Sequence, residues 1–65
     1  MANPRYKFTF RAGEVDGYGK FTLVPQSGMT NEQVLSDIIA SIKVSVAETA
    51  WCTPNDVTVQ YTKLP

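Results

Sequence analysis

The chain of 65 residues has no histidine, one cysteine and no net charge. Without histidine it lacks the commonest general base of enzymes. Cys52 cannot form an internal disulfide, and alone it does not supply the ligands of a usual zinc site. Glu14 and Asp16 are too few carboxylates for a calcium loop. We therefore expect no enzyme activity, no metal, no cofactor and no small-molecule substrate.

Long hydrophobic runs are absent as well. No stretch approaches the ~20 apolar residues that a membrane span needs, and the start, MANPRYKF, lacks the apolar core of a signal peptide. We therefore expect no membrane partner and a cytoplasmic location, with which a lone thiol agrees. Six basic residues balance six acidic ones, which argues against a generic nucleic-acid binder because such proteins usually carry a basic excess.

The composition is that of a globular protein, with 43% hydrophobic and 18% charged residues, and it excludes a disordered chain. We expect residues 1–65 to form a single small domain. A domain of this size buries only about 60% of the surface that its unfolded chain exposes. Oligomerisation or a bound partner is a common source of the missing stability.

Three segments have the alternation of β-strands. Residues 5–12 place Tyr6, Phe8 and Phe10 on one face, residues 20–25 form a return strand, and residues 57–62 alternate again. Asp16-Gly17 is a strong hairpin signal and predicts a register in which Phe10 lies opposite Leu23. Three nearby glycines also allow a bulge or a wider loop.

The segment between the second and third strands predicts one helix. Thr30 and Gln33 have the spacing of a capping box, and the apolar residues that follow recur at helical spacing. Ile42 to Val46 also alternates like a strand, but that interpretation leaves too short a helix before it. Thr53 precedes a proline and is biased away from helical geometry, so the helix should end between Glu48 and Cys52.

These elements predict an α+β, two-layer ββαβ fold. Strand three can lie beside strand one, which gives a three-stranded antiparallel sheet of order 2-1-3 with one helix packed on one face. It can instead lie parallel to strand two through a right-handed crossover. We prefer the order 2-1-3 because it places the most aromatic strand in the centre of the sheet.

Such a fold leaves two candidate contact surfaces for a protein partner. Strand three carries no charge, proline or glycine in its interior and is an unprotected edge, which tends to pair with another chain. The second surface is a stripe on the outer side of the helix with the spacing of a packing face. In the alternative interpretation of this stripe, Trp51 folds back and fills the core. The predicted interface residues are Ala40, Val44, Ala47, Trp51, Thr58, Gln60 and Thr62.

The outer face of the sheet carries a third candidate surface. Basic side chains beside an aromatic ring can hold a phosphate backbone and stack one base. Such residues also simply decorate a solvated sheet face in many proteins. The predicted nucleic-acid residues are Lys7, Arg11, Tyr18 and Lys20.

The sequence thus predicts a non-enzymatic protein-binding or assembly module that acts through self-association or by docking on a larger protein. By size alone it fits the accessory and inhibitor proteins, viral ones included. The alternative is a nucleic-acid-binding protein that uses the basic outer face of the sheet. The two differ in salt dependence, because phosphate binding weakens steeply as salt rises.

Overall fold

A computed structural model describes residues 3–65 as three strands and one long helix. In chain order the elements are β1 (Arg5–Ala12), β2 (Val15–Thr22), α1 (Asn31–Ala50), a short 3-10 helix (Pro54–Asp56) and β3 (Thr58–Lys63). Both strand pairs are antiparallel, the sheet order is β2-β1-β3, and α1 packs on one face. The predicted α+β fold and its strand order are confirmed.

The ends of α1 follow local signals. The Thr30 N–H donates to Gln33 Oε1 at 2.8 Å, and the Gln33 N–H donates to Thr30 Oγ1 at 3.2 Å. This reciprocal pair is the predicted capping box. At the other end Trp51 adopts the left-handed conformation, with φ 57° and ψ 42°. The Cys52 N–H then donates to the Ala47 carbonyl at 3.1 Å, so the helix ends where the sequence predicted.

The hairpin turn lies at Gly13-Glu14, and the predicted Asp16-Gly17 turn is wrong. Ala12 lies opposite Val15, and Phe10 lies opposite Gly17 instead of Leu23. Gly13 has a φ of 64°, and the first position of a type II′ turn requires such a positive angle. The partner of Phe10 has moved by an even number of residues, so each side chain of the hairpin stays on its predicted face.

The inner face of the sheet is aromatic but only partly covered. The Tyr6 and Phe21 rings stack at a centroid distance of 5.3 Å. Phe8 and Phe10 lie over Gly19 and Gly17, where a Cβ atom would approach their rings to 2.7 and 2.5 Å. The well-buried core is correspondingly small and consists of Ala12, Leu23, Val34, Val46, Ala47 and Val57.

The molecule is a flat plate whose Cα atoms span 39 × 25 × 13 Å. Its accessible surface is 4991 Å², whereas a folded monomer of this mass should expose about 4,100 Å². The chain thus exposes about 900 Å² more than the average for its mass. The plate therefore leaves an unusual amount of surface for contact with another molecule.

Candidate functional site

The free edge of β3 is the most open edge of the sheet. The Leu64 N–H donates to the Arg5 carbonyl at 2.7 Å. Because antiparallel ladders alternate, the backbone groups of Val59, Tyr61 and Lys63 point away from β1. Lys63, at the end of the strand, is its only charged residue. This edge can therefore pair with a further strand.

The edge of β2 is better protected. It carries Asp16 and Lys20 along its length, and Gly17 and Gly19 interrupt its row of side chains. Charged residues are a common means by which proteins discourage edge-to-edge pairing. Of the two edges of the sheet, β3 is thus the one suited to accept another chain.

A groove of ≈ 560 Å³ runs between α1 and the edge of β3. Tyr61 stands at this edge with 47% of its surface exposed. Leu35 and Ile39 contribute half-buried apolar side chains, and Ala40 leaves room for close approach. We call this the helix–strand groove, and its residues are Glu32, Leu35, Ser36, Ile39, Ala40, Lys43 and Tyr61.

The helix stripe predicted from the sequence is only partly present. Ala40 and Val44 are exposed on α1, and Trp51 is 95% exposed beyond its end. Ala47, in contrast, is only 3% exposed, so its predicted place on the outer face is wrong. Ala47 belongs to the core cluster with Ala12, Val46 and Val57, because the chain returns along the helix through the 3-10 helix and Val57.

The exposure of Trp51 also excludes the interpretation in which this side chain fills the core. Cys52, the next residue, is partly buried and packs against the core cluster instead. Trp51 is therefore an exposed aromatic side chain at the C-terminal end of α1.

The remaining interface residues lie in the other layer of the fold. Thr58, Gln60 and Thr62 are exposed on the outer face of β3, opposite Arg11, Thr9 and Lys7 of β1. The sheet separates these threonine and glutamine side chains from the helix stripe. The two sets of predicted interface residues therefore do not form one continuous surface.

The nucleic-acid residues do come together on the outer face of the sheet. Lys7 lies directly opposite Lys20, and Tyr18 lies opposite Thr9 with 86% of its surface exposed. Arg11 lies opposite Asp16 and donates from Nε to the Gly13 carbonyl at 3.4 Å. We call this surface the basic face, and its residues are Arg5, Lys7, Arg11, Tyr18 and Lys20.

A second groove, of ≈ 600 Å³, lies between α1 and the rings of Phe8 and Phe10. Its apolar wall is a row of helix residues spaced by four: Val34, Ile38, Ile42 and Val46. A parallel row forms its polar rim: Asp37, Ser41, Ser45 and Thr49. It exists because Gly17 and Gly19 give β2 no side chains with which to close that side.

Within residues 3–65, no three metal-ligating acidic, cysteine or histidine side chains come together. The helix in the same range is not long and apolar enough to cross a membrane. Comparisons of the chain with protein-family models, with curated proteins and with solved structures found no match.

The sequence pointed to the β3 edge but missed the groove beside it. Leu35 and Ile39 belong to the helical apolar pattern, and Tyr61 to the inward face of the third strand, so all three were expected inside. The sequence feature that could have predicted the exposure of Tyr61 is its place on an edge strand. An aromatic side chain there has a neighbouring strand on one side only. The helix then leaves Tyr61 half exposed.

Proposed function

We propose that this protein is a non-enzymatic assembly module that associates with itself through the β3 edge and the helix–strand groove. The observation that carries this proposal is an unpaired edge strand flanked by the half-exposed Tyr61. Backbone pairing would satisfy the free groups of β3, and apolar contact would cover Tyr61, Leu35 and Ile39. The edge and the groove are adjacent, so one partner could engage both.

The excess surface supports the same proposal. Burial of apolar area stabilises association by roughly 25 cal/mol per Å² before the costs of ordering are subtracted. Few large side chains of the described residues are well buried, and Tyr18, Trp51 and Tyr61 are exposed. A second molecule at the β3 edge would enlarge the core without changing either fold.

The direct test is the solution mass by light scattering over a tenfold concentration range at moderate salt. We expect the wild-type protein to form a dimer or larger assembly as its concentration rises. The variant Tyr61→Lys should remain a monomer, because it places a charge at the groove in the manner of natural edge protection. Circular dichroism would show that the variant is folded.

The matched control is Tyr18→Lys, which makes the same change at another exposed tyrosine on the opposite face. It should associate as the wild type does. A wild-type protein that is monomeric at every concentration would contradict the proposal. Equal loss of assembly in both variants would also contradict it, because the effect would then not belong to the β3 edge.

The basic face supports a second candidate function, nucleic-acid binding. The observation in its favour is the pair of like charges at Lys7 and Lys20. Like charges directly opposite each other destabilise a sheet, and an anionic ligand would relieve that repulsion. The exposed Tyr18 beside them provides a surface on which a base could stack.

This second function is tested by the binding of a labelled single-stranded oligonucleotide at several salt concentrations. We expect Lys7→Ala and Lys20→Ala each to reduce the salt slope by about 1, and Tyr18→Ala to weaken binding by about 1–3 kcal/mol. The control is Lys43→Ala on the helix, which should leave both quantities unchanged. Absence of binding at low salt would exclude this function.

A further inference from the structure

We propose that the partner at the β3 edge is a second copy of this chain, related by a twofold axis that is normal to the sheet and passes between the two Tyr61 residues. The proposal rests on the proposed self-association and specifies its geometry. It joins two sheets into one of six antiparallel strands. The two α1 helices then lie side by side on the same face.

The strand pairing follows from the backbone groups that β3 leaves free. With the axis at Tyr61, its N–H and carbonyl pair with those of Tyr61 in the second copy. Val59 pairs in the same way with Lys63 of the second copy. These are the residues whose backbone groups point away from β1, so the arrangement uses each of them. It also places the side chains of paired residues on the same face of the six-stranded sheet, as antiparallel pairing demands.

The position of the helix sets the distance between the two copies of α1. The helix packs on β1 and β3, so its axis lies about one strand spacing from the twofold. With strands about 4.8 Å apart, the two helix axes would be roughly 10 Å apart. Packed helices lie about 8–10 Å apart, so the two helices would touch with no change in either copy.

The side chains of the groove are complementary under this twofold. The helix residues around Tyr61 run from Glu32 to Lys43, so Tyr61 is level with the middle of that segment. A twofold at this level places Leu35 against Ala40 of the second copy and Ser36 against Ile39. Each contact then joins a large residue to a small one, as interdigitated packing requires.

The charges at the two ends of the groove are complementary as well. Glu32 and Lys43 are eleven positions apart on one helix, or about 16 Å, which is too far for an ion pair within one copy. Under the twofold, Glu32 of each copy faces Lys43 of the other. The same axis thus pairs the free backbone groups of β3, brings the two helices into contact, and makes the packing and the charges complementary.

Disulfide trapping tests the register. In this register Gln60 of one copy lies opposite Thr62 of the other, with Cα atoms about 4.5 Å apart, within the range that a disulfide bridges. Two Gln60 residues, or two Thr62 residues, would be about 8 Å apart, beyond that range. The variants are Gln60→Cys and Thr62→Cys, both in a Cys52→Ala background, one of them carrying a size tag.

We expect a mixture of the two variants to form a cross-linked heterodimer on mild oxidation, and each variant alone to form little. Cross-linking of Gln60→Cys with itself would overturn this axis while leaving self-association intact. A protein that light scattering shows to be dimeric and that no combination traps would also overturn it. A monomeric wild type would contradict the proposed function itself, so the two failures are distinguishable.

Charge reversal tests the helix contact independently. Glu32→Lys and Lys43→Glu should each weaken the dimer about three- to tenfold at low salt, because two symmetric contacts become repulsive. The double variant should restore the wild-type dissociation constant. Glu48→Lys, outside the groove, is the control and should have no such effect. A double variant that dimerises no more tightly than the single variants would overturn the proposed helix contact.

Discussion

At the residue scale, Trp51 combines two unfavourable features. Its backbone is left-handed, with φ 57°, which costs a residue with a Cβ atom about 1–2 kcal/mol. Its side chain is 95% exposed and therefore gains little from burial. Strained residues tend to persist where function holds them, and an exposed tryptophan is a common anchor of interfaces.

We therefore predict that Trp51→Gly raises the free energy of unfolding by about 1 kcal/mol, because glycine adopts this conformation without a Cβ clash. Urea denaturation followed by far-UV circular dichroism measures the change. Trp51→Ala is the matched control: it removes the ring but keeps the Cβ atom, so it should bring no such gain. A less stable glycine variant would show that the ring makes a stabilising contact.

Gly19 is a residue at which strand propensity and packing disagree. Valine is a good strand former, but a Cβ atom here would lie 2.7 Å from Phe8 Cζ. We predict that Gly19→Val lowers the free energy of unfolding by about 1–3 kcal/mol, the usual cost of overpacking. The control is Lys20→Val on the outer face, which should not lower this free energy, because no side chain there is overpacked and the repulsion from Lys7 is removed. A stabilised Gly19→Val would mean that the Phe8 ring moves freely into the neighbouring groove.

At the element scale, the capping box should contribute measurably to α1. The chain has no disulfide to hold the helix, and its buried core is small, so the loss of one cap weighs more here. We predict that Thr30→Ala lowers the free energy of unfolding by about 1 kcal/mol, measured by urea denaturation. Thr30→Ser is the control, because it keeps the accepting oxygen. Equal losses in both variants would assign the effect to the threonine methyl group instead.

The hairpin shows which part of an element the sequence determines. Alternation in residues 5–12 fixes the faces, and the faces were predicted correctly. The register was not, because Gly13-Glu14 and Asp16-Gly17 are both plausible two-residue turns that keep the same faces. What distinguishes them is the fit of the Phe8 and Phe10 rings over glycines, which is a contact between strands and is absent from either local segment.

In the helix, too, some features follow from the local sequence and others depend on contacts with other elements. Its cap, its end and its apolar face follow from local chemistry and were predictable. The burial of Ala47 depends on the path of the chain after Pro54, and the exposure of Tyr61 depends on how far the helix reaches across the sheet. Both features depend on tertiary packing. The unprotected β3 edge was predicted because it is a property of one strand, whereas the helix–strand groove needs two elements in place.

At the scale of the whole molecule, the flat shape links stability to assembly. A protein that buries part of its surface only as a dimer is stabilised by mass action. Within residues 3–65, Leu23 is the one side chain that is fully buried, so in the proposed dimer the contribution of the second copy should be a large part of the total. Stability measured at one concentration would then describe the assembly more than the single chain.

We therefore predict that the melting temperature rises with protein concentration. For a dimer that unfolds to monomers, each tenfold increase adds about 1.4 kcal/mol of apparent stability per dimer. Because two chains unfold together, that corresponds to a shift of roughly 5 °C. Thermal melts by circular dichroism at two concentrations tenfold apart give the measurement. Tyr61→Lys should melt at one temperature at both concentrations, since its edge no longer pairs. If the wild type also melts independently of concentration, the thin core is sufficient by itself, and the open β3 edge is then a surface for a different partner.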